Sequence, residues 1–106
     1  MTLVTRNFHS SRGEIDLIML DRELLVFIEV RFRGHGAFTN PVESITRRKR
    51  DRIIATARYF LHTHREHVRR RCRFDVVSVT RRHYAPSCPD SDQFEWIRDA
   101  FDASGA

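Results

Sequence analysis

Lysine is almost missing from this chain: 18 of its 19 basic residues are arginine, and the one lysine is Lys49. Cysteine is scarce as well. Cys72 and Cys88 are the only two and form no C-x-x-C pair, which excludes zinc or redox chemistry of that type. Both read as ordinary reduced thiols. Apolar runs are short and interrupted, so no stretch spans a bilayer. Met1 to Phe8 contains neither a basic region leading into an apolar run nor a small-residue cleavage site, so it does not read as a signal peptide. A cytoplasmic location is the expectation. With 106 residues, the chain fits one domain over residues 1–106 and leaves no room for a second core.

What is present is concentrated positive charge. Residues 44–82 hold 13 Arg or Lys against 3 acids, a local net of +10, while the flanks are acidic and bring the total down to +5. Such a block points to a polyanion, and arginine is the side chain suited to bidentate phosphate contacts. A solvated charged surface is the alternative reading.

Leu3 to Phe8 reads as a short opening strand, closed by the turn residues Ser10 to Gly13. Glu14 to Leu20 alternates, with Ile15, Leu17 and Met19 on one face and Glu14, Asp16 and Ile18 on the other. After the polar turn Asp21-Arg22-Glu23, the β-branched and aromatic run Leu24 to Phe32 reads as a buried strand completing a hairpin. Gly34, Gly36 and Thr39-Asn40-Pro41 mark a loop. A helix follows, capped by Ser44 or Thr46, with Ile53, Ile54, Ala57, Phe60 and Leu61 on one stripe. Arg73 to Thr80 reads as a further strand. Pro86 and Pro89 then break the chain before an acidic tail whose Phe94, Trp96, Ile97 and Phe101 are expected to return to the core. The order β-β-β-α-β, with a helical crossover, is an α/β arrangement. One helix covers only one face of so apolar a sheet, which points either to a partner subunit, as in a homodimer, or to a missing segment upstream of Met1.

Period two in Leu24 to Phe32 puts Phe27, Glu29 and Arg31 on one face. If the hairpin aligns Asp16 beside Glu29, the two carboxylates repel unless a cation sits between them, and Mg²⁺ (or Mn²⁺) suits such a site. The bland alternative is a Glu29 to Arg31 ion pair with Asp16 solvated. Arg47, Arg48, Lys49, Arg50 and Arg52 crowd the helix start, where the macrodipole disfavours cations and bound phosphate relieves them. For Lys49 a phosphate contact is the simpler role, and reaching the metal site in place of Arg31 is the other. Arg69, Arg70, Arg71 and Arg73 either extend this track or form a solvated loop. His62, His64 and His67 lack the spacing of a zinc site, since residues two apart lie on opposite sides of a helix. Glu43, near the helix start, is a supplementary acid or a cap.

The segments Arg6-Asn7-Phe8, Gly13 to Ile18, Leu25 to Arg31, Pro41 to Thr46 with Lys49, Arg73 to Val77, and Trp96 to Phe101 together resemble the YraN family. These are short uncharacterised bacterial proteins assigned to the restriction-endonuclease-like, PD-(D/E)XK nuclease superfamily. The resemblance covers nearly the whole chain. It implies a mixed central β-sheet with a flanking helix and a divalent metal held by Asp16 and Glu29, with the Val30 carbonyl as a third ligand. Glu14 and Glu43 are the candidate supplementary acids, and Asp16, Glu29 and Arg31 the candidate catalytic set. Two departures stand out. The superfamily's lysine two residues after the glutamate is Arg31 here, which keeps charge but cannot act as a base. The family's opening helix has no counterpart, so an upstream start or a trimmed chain is expected.

The resulting expectation is a DNA-directed, Mg²⁺-dependent endonuclease-like protein, related to resolvases and directed at branched DNA. A non-catalytic nucleic-acid-binding module is the alternative, and a protein-interaction domain with an acidic partner the third. DNA is expected over RNA, with no membrane involvement.

Overall fold

The structure is a computed structural model describing residues 1–33, 42–82 and 91–103. The loop expected at Gly34 to Pro41, the break at Pro86 and Pro89, and Cys88 lie outside the described residues; Cys72 is a free, exposed thiol.

Five strands form one sheet in sequential order: β1 (Thr2–Ser10), β2 (Gly13–Asp21), β3 (Leu24–Arg33), β4 (Cys72–Arg82) and β5 (Ser91–Phe101). All neighbours are antiparallel except β3 and β4. A parallel pair needs a crossover. Helix α1 (Arg47–Thr63) supplies it, followed by a single 3-10 turn at Arg65–His67. The fold is therefore α/β with a mixed sheet and one helix, compatible with a restriction-endonuclease-like fold.

Thr46 caps α1, its Oγ1 accepting the Lys49 amide at 3.1 Å. Ile53, Ile54, Ala57 and Phe60 are buried against Ile15, Ile18, Leu25, Phe27 and Phe74, with Leu61 partly buried beside them. Phe60 meets Phe27 edge-on with ring centroids 6.1 Å apart. Gly13 lets the helix approach closely: a Cβ there would lie 3.3 Å from Thr56 Oγ1 and 3.4 Å from the Arg52 Cβ. His64 and His67 pack at the end of the helix. His64 stacks on Phe60 at 4.1 Å, and His67 accepts a hydrogen bond from Arg70 Nε.

The acidic tail departs from expectation. It forms a fifth strand, and only Phe101 and Ile97 return to the helix-side core; Phe94 and Trp96 stay exposed. The reason is the period of two. Trp96 pairs with Val77 and Phe94 with Val79, which places both on the reverse face of the sheet. Among the described residues no helix covers that face, where Phe32 is also exposed. The sheet stays regular on one side of β4 and bulges on the other. Asp75 lies at that bulge and is fully buried, accepting hydrogen bonds from Arg73, Trp96 Nε1 and the Asp99 amide.

Candidate metal centre

The centre forms where the first two hairpins lose their regular pairing. The β1–β2 hairpin pairs Arg6 with Leu17 and Phe8 with Ile15, bracketing Asn7 opposite Asp16. Asn7 has φ 53°, a left-handed conformation that Asn adopts more readily than most residues. Strict alternation in β2 lapses here. Ile15 and Ile18, three apart, are both buried in the helix-side core, contrary to the placement of Ile18 on the Asp16 face that alternation predicts.

On the other side, β2 and β3 pair in register from Asp21 opposite Leu24 back to Leu17 opposite Ile28. One step further the same register brings Asp16 to Glu29. There the Asp16 carboxylate, rather than a strand carbonyl, accepts the Val30 amide at 2.8 Å. Glu29 is 6% exposed and points to the helix side. Lys49, on the first turn of α1, places its Nζ 3.6 Å from Glu29 Oε1.

The electrostatics follow from this crowding. Burial and then repulsion from Asp16 push the Glu29 carboxyl up to about 7, although Lys49 pulls the other way. Glu29 is therefore partly protonated at neutral pH. Two adjacent carboxylates and the neighbouring Val30 backbone make an oxygen-rich donor set that fits Mg²⁺ or Mn²⁺, which take few protein ligands and keep water and phosphate oxygens. No group of three or more His, Cys, Asp or Glu side chains able to hold a metal occurs among the described residues, so side-chain donors for such an ion number two.

The remaining predicted site residues separate into groups. Arg31 donates to the Ser44 carbonyl at 3.4 Å, and its buried Nε has no hydrogen-bond partner among the described residues. Arg50 turns inward, donating to the Val42 carbonyl and lying over the Phe101 ring. Arg47, Arg48 and Arg52 are exposed at the start of α1. Glu14 pairs with His9 on β1 at 3.7 Å, away from Glu29, and Glu43 is exposed in the turn before the helix. The sequence reading passed over Arg6 and Asn7. They line a cavity of about 250 Å³ with Asp16, Leu17, Val30 and Phe32. Counting outward from the Ser11-Arg12 turn would have found them.

The family model described as uncharacterised protein family UPF0102 matches residues 1–79. The chain belongs to UPF0102. This is the YraN family that the motifs resemble. A UPF0102 protein of Chromohalobacter salexigens is 48% identical over 103 residues, 97% of this chain and 77% of that protein. Those of Alcanivorax borkumensis and Nitrosococcus oceani are 44% identical over 104 residues and 46% over 101, in each case 95% of this chain and 77% of the relative. No helix among the described residues of this UPF0102 chain is long and apolar enough to cross a membrane.

The raised Glu29 pKa has a consequence for stability. The folded protein holds this proton more tightly than the unfolded chain does, so without metal stability falls as pH rises from 4.5 to about 7 and then levels off. The full effect is about 3 kcal/mol, at about 1.4 kcal/mol per pKa unit. Urea melts in EDTA at pH 5 and pH 8 check this. Relative to Glu29→Gln, the wild type should lose stability between those two values; parallel behaviour of the two proteins would show that Glu29 does not titrate there.

Proposed function

We propose that this UPF0102 chain is a nucleic-acid-binding, metal-dependent phosphodiesterase of the endonuclease type, acting on DNA, branched DNA included. The observation that carries this reading is the Asp16–Glu29 pair with the Lys49 ammonium set on Glu29. Isolated carboxylates in a strand need no such partner, and a structural ion pair needs no second acid.

Asp16, Glu29 and the Val30 carbonyl would hold Mg²⁺ or Mn²⁺. When bound, such an ion polarises a phosphoryl oxygen and makes water a stronger nucleophile. Phosphodiester hydrolysis uses one water. Its oxygen bonds to phosphorus, one ester P–O bond breaks, and the leaving oxygen is protonated. Lys49 contributes positive charge where charge builds on the phosphoryl oxygens and the attacking water. Arg31, fixed to the Ser44 carbonyl, supports the helix entry and adds to the local positive potential. Arg47, Arg48 and Arg52 face solvent beside Lys49 and would contact flanking phosphates, while Arg50 acts through packing.

Cleavage of labelled linear, flapped and four-way DNA with and without Mg²⁺ or Mn²⁺ tests the reading. Cutting should require the metal and disappear in Asp16→Asn and in Glu29→Gln, while both variants still bind DNA. The second reading, a binding module without catalysis, draws on the absence of lysine two residues after Glu29. It becomes the correct one if DNA is bound but never cut on any of these substrates.

A further inference from the structure

The far end of the sheet carries a second concave surface, larger than the cavity at Asp16. It encloses about 650 Å³ between the β2–β3 turn and the segment entering β4, and Arg22, Arg69, Arg70 and Arg71 line it together with Asp21 and Glu23. Four arginines on one concavity are not explained by the carboxylate centre.

The backbone that presents them is fixed. The Arg71 carbonyl accepts the Leu25 amide at 2.8 Å, and the Arg70 amide donates to the His67 carbonyl at 3.1 Å, so the segment is stitched to β3 and to the preceding turn. Arg70 is held from two sides, donating from Nε to His67 Nδ1 at 3.0 Å and from Nη1 to the Glu23 carbonyl at 3.2 Å. Arg22 holds a left-handed turn position, φ 59°, which favours glycine or asparagine.

The acids do not cancel this charge. Asp21 is already engaged by Arg73 at 3.5 Å and Arg98 at 3.8 Å, which leaves Glu23 against four guanidinium groups. Arg22, Arg69 and Arg71 are exposed and form no ion pair or side-chain hydrogen bond with any described residue. Forked guanidinium donors in excess over the nearby acids suit phosphate oxygens, which they can meet two at a time.

Position indicates which phosphates. Leu24, at the floor of this concavity, is five residues before Glu29 on one strand, roughly 17 Å at ~3.3 Å per residue. That span matches the axial rise of about five base pairs of duplex at ~3.4 Å each.

We infer that Arg22, Arg69, Arg70 and Arg71 form a second phosphate-binding site that grips the backbone of the duplex about five base pairs along its axis from the phosphodiester at Asp16 and Glu29. The inference rests on the proposed function for the identity of the polyanion. It specifies the substrate further, as one with a duplex arm long enough to reach both ends of the sheet.

The test is equilibrium binding of the full chain to a duplex of about 20 base pairs in EDTA, over a range of salt concentrations. Arg22→Ala with Arg71→Ala should lower the slope of log affinity against log salt by roughly 2, close to 0.9 per lost contact. Arg12→Ala with Arg58→Ala removes the same charge from exposed positions elsewhere and should leave the slope near wild type. Circular dichroism checks that both pairs fold. A wild-type slope in the first pair, an equal drop in both pairs, or no duplex binding by the wild type overturns the inference. So does an unchanged duplex slope accompanied by lost binding of an acidic polyglutamate probe, which would assign the surface to a protein. Because the assay contains no metal and reads no cleavage, the absence of cutting defeats the proposed function and leaves this result standing.

Discussion

Lys49→Ala should lower metal-dependent cleavage by roughly 10²-fold or more, the usual loss when a positioned charge or proton donor is removed from a reacting phosphate. DNA affinity should change little, since one of several phosphate-facing cations is lost. The expectation comes from geometry. The chain's single lysine, on α1, reaches Glu29 Oε1 at 3.6 Å, whereas Arg31, on the strand itself, spends its guanidinium on the Ser44 carbonyl. Removing Lys49 also takes away the one influence that lowers the Glu29 pKa through charge, so that carboxyl should titrate higher still, which carbon-detected NMR reads directly. The decisive variant is Arg31→Lys. It returns a lysine to the position two residues after Glu29, and in the Lys49→Ala background it should restore a large part of the activity. It should also raise the activity of the otherwise wild-type protein. Equal losses from Lys49→Ala and Arg31→Ala, with no rescue, would show that neither position holds the required lysine and that the two cations act only through general potential.

Much of this centre was legible in the sequence because hairpins are local. Turns at Ser11-Arg12 and Arg22-Glu23 fix the registers of two antiparallel pairs, so the meeting of Asp16 with Glu29 follows from counting along the chain. The helix stripe was equally legible, since period 3.6 and the Thr46 cap agree. Three features were not. Alternation in β2 fails at Asp16 because Asn7, across the ladder, takes a left-handed conformation, and nothing in single-strand periodicity signals that. The meeting of Lys49 with Glu29 depends on how α1 lies over the sheet, which sequence spacing does not fix. Strand β5 was hidden by its composition: acids and arginine interrupt the apolar positions, and a two-residue excess between Ile97 and Phe101, where Asp99 takes a left-handed conformation, shifts the pairing with β4 without changing which face they occupy.

Asp75→Ala should destabilise the protein by about 3 to 5 kcal/mol, the usual cost of stranding one half of a buried ion pair. Four hydrogen bonds converge on this carboxylate, which has no exposed surface: Arg73 Nε at 2.8 Å, Arg73 Nη2 at 2.9 Å, Trp96 Nε1 at 2.8 Å and the Asp99 amide at 2.9 Å. Burial alone would raise its pKa, but the Arg73, Asp99 and Trp96 contacts more than offset this and hold it below the ordinary carboxylate value. The folded protein thus binds this proton less tightly than the unfolded chain. The associated stability is present above pH 4 and is lost as pH falls through the lowered pKa, the opposite sense to Glu29. A loss of 3 to 5 kcal/mol is a large part of the roughly 5 to 15 kcal/mol typical of a domain. Thermal melts at pH 7 should therefore shift down by roughly 15 to 30 °C. Two of the partners lie on β5, so the loss should appear first as faster hydrogen exchange there, before the core under α1 opens. A double change, Arg73→Met with Asp75→Leu, removes both charges together and should recover part of the stability, because it takes away the guanidinium left with Asp21 alone, while Trp96 Nε1 and the Asp99 amide still lose their acceptor. If Asp75→Ala melts within about 1 kcal/mol of the wild type, water replaces the carboxylate at the bulge. The pinning of β5 must then come from the apolar contacts of Ile97 and Phe101 alone.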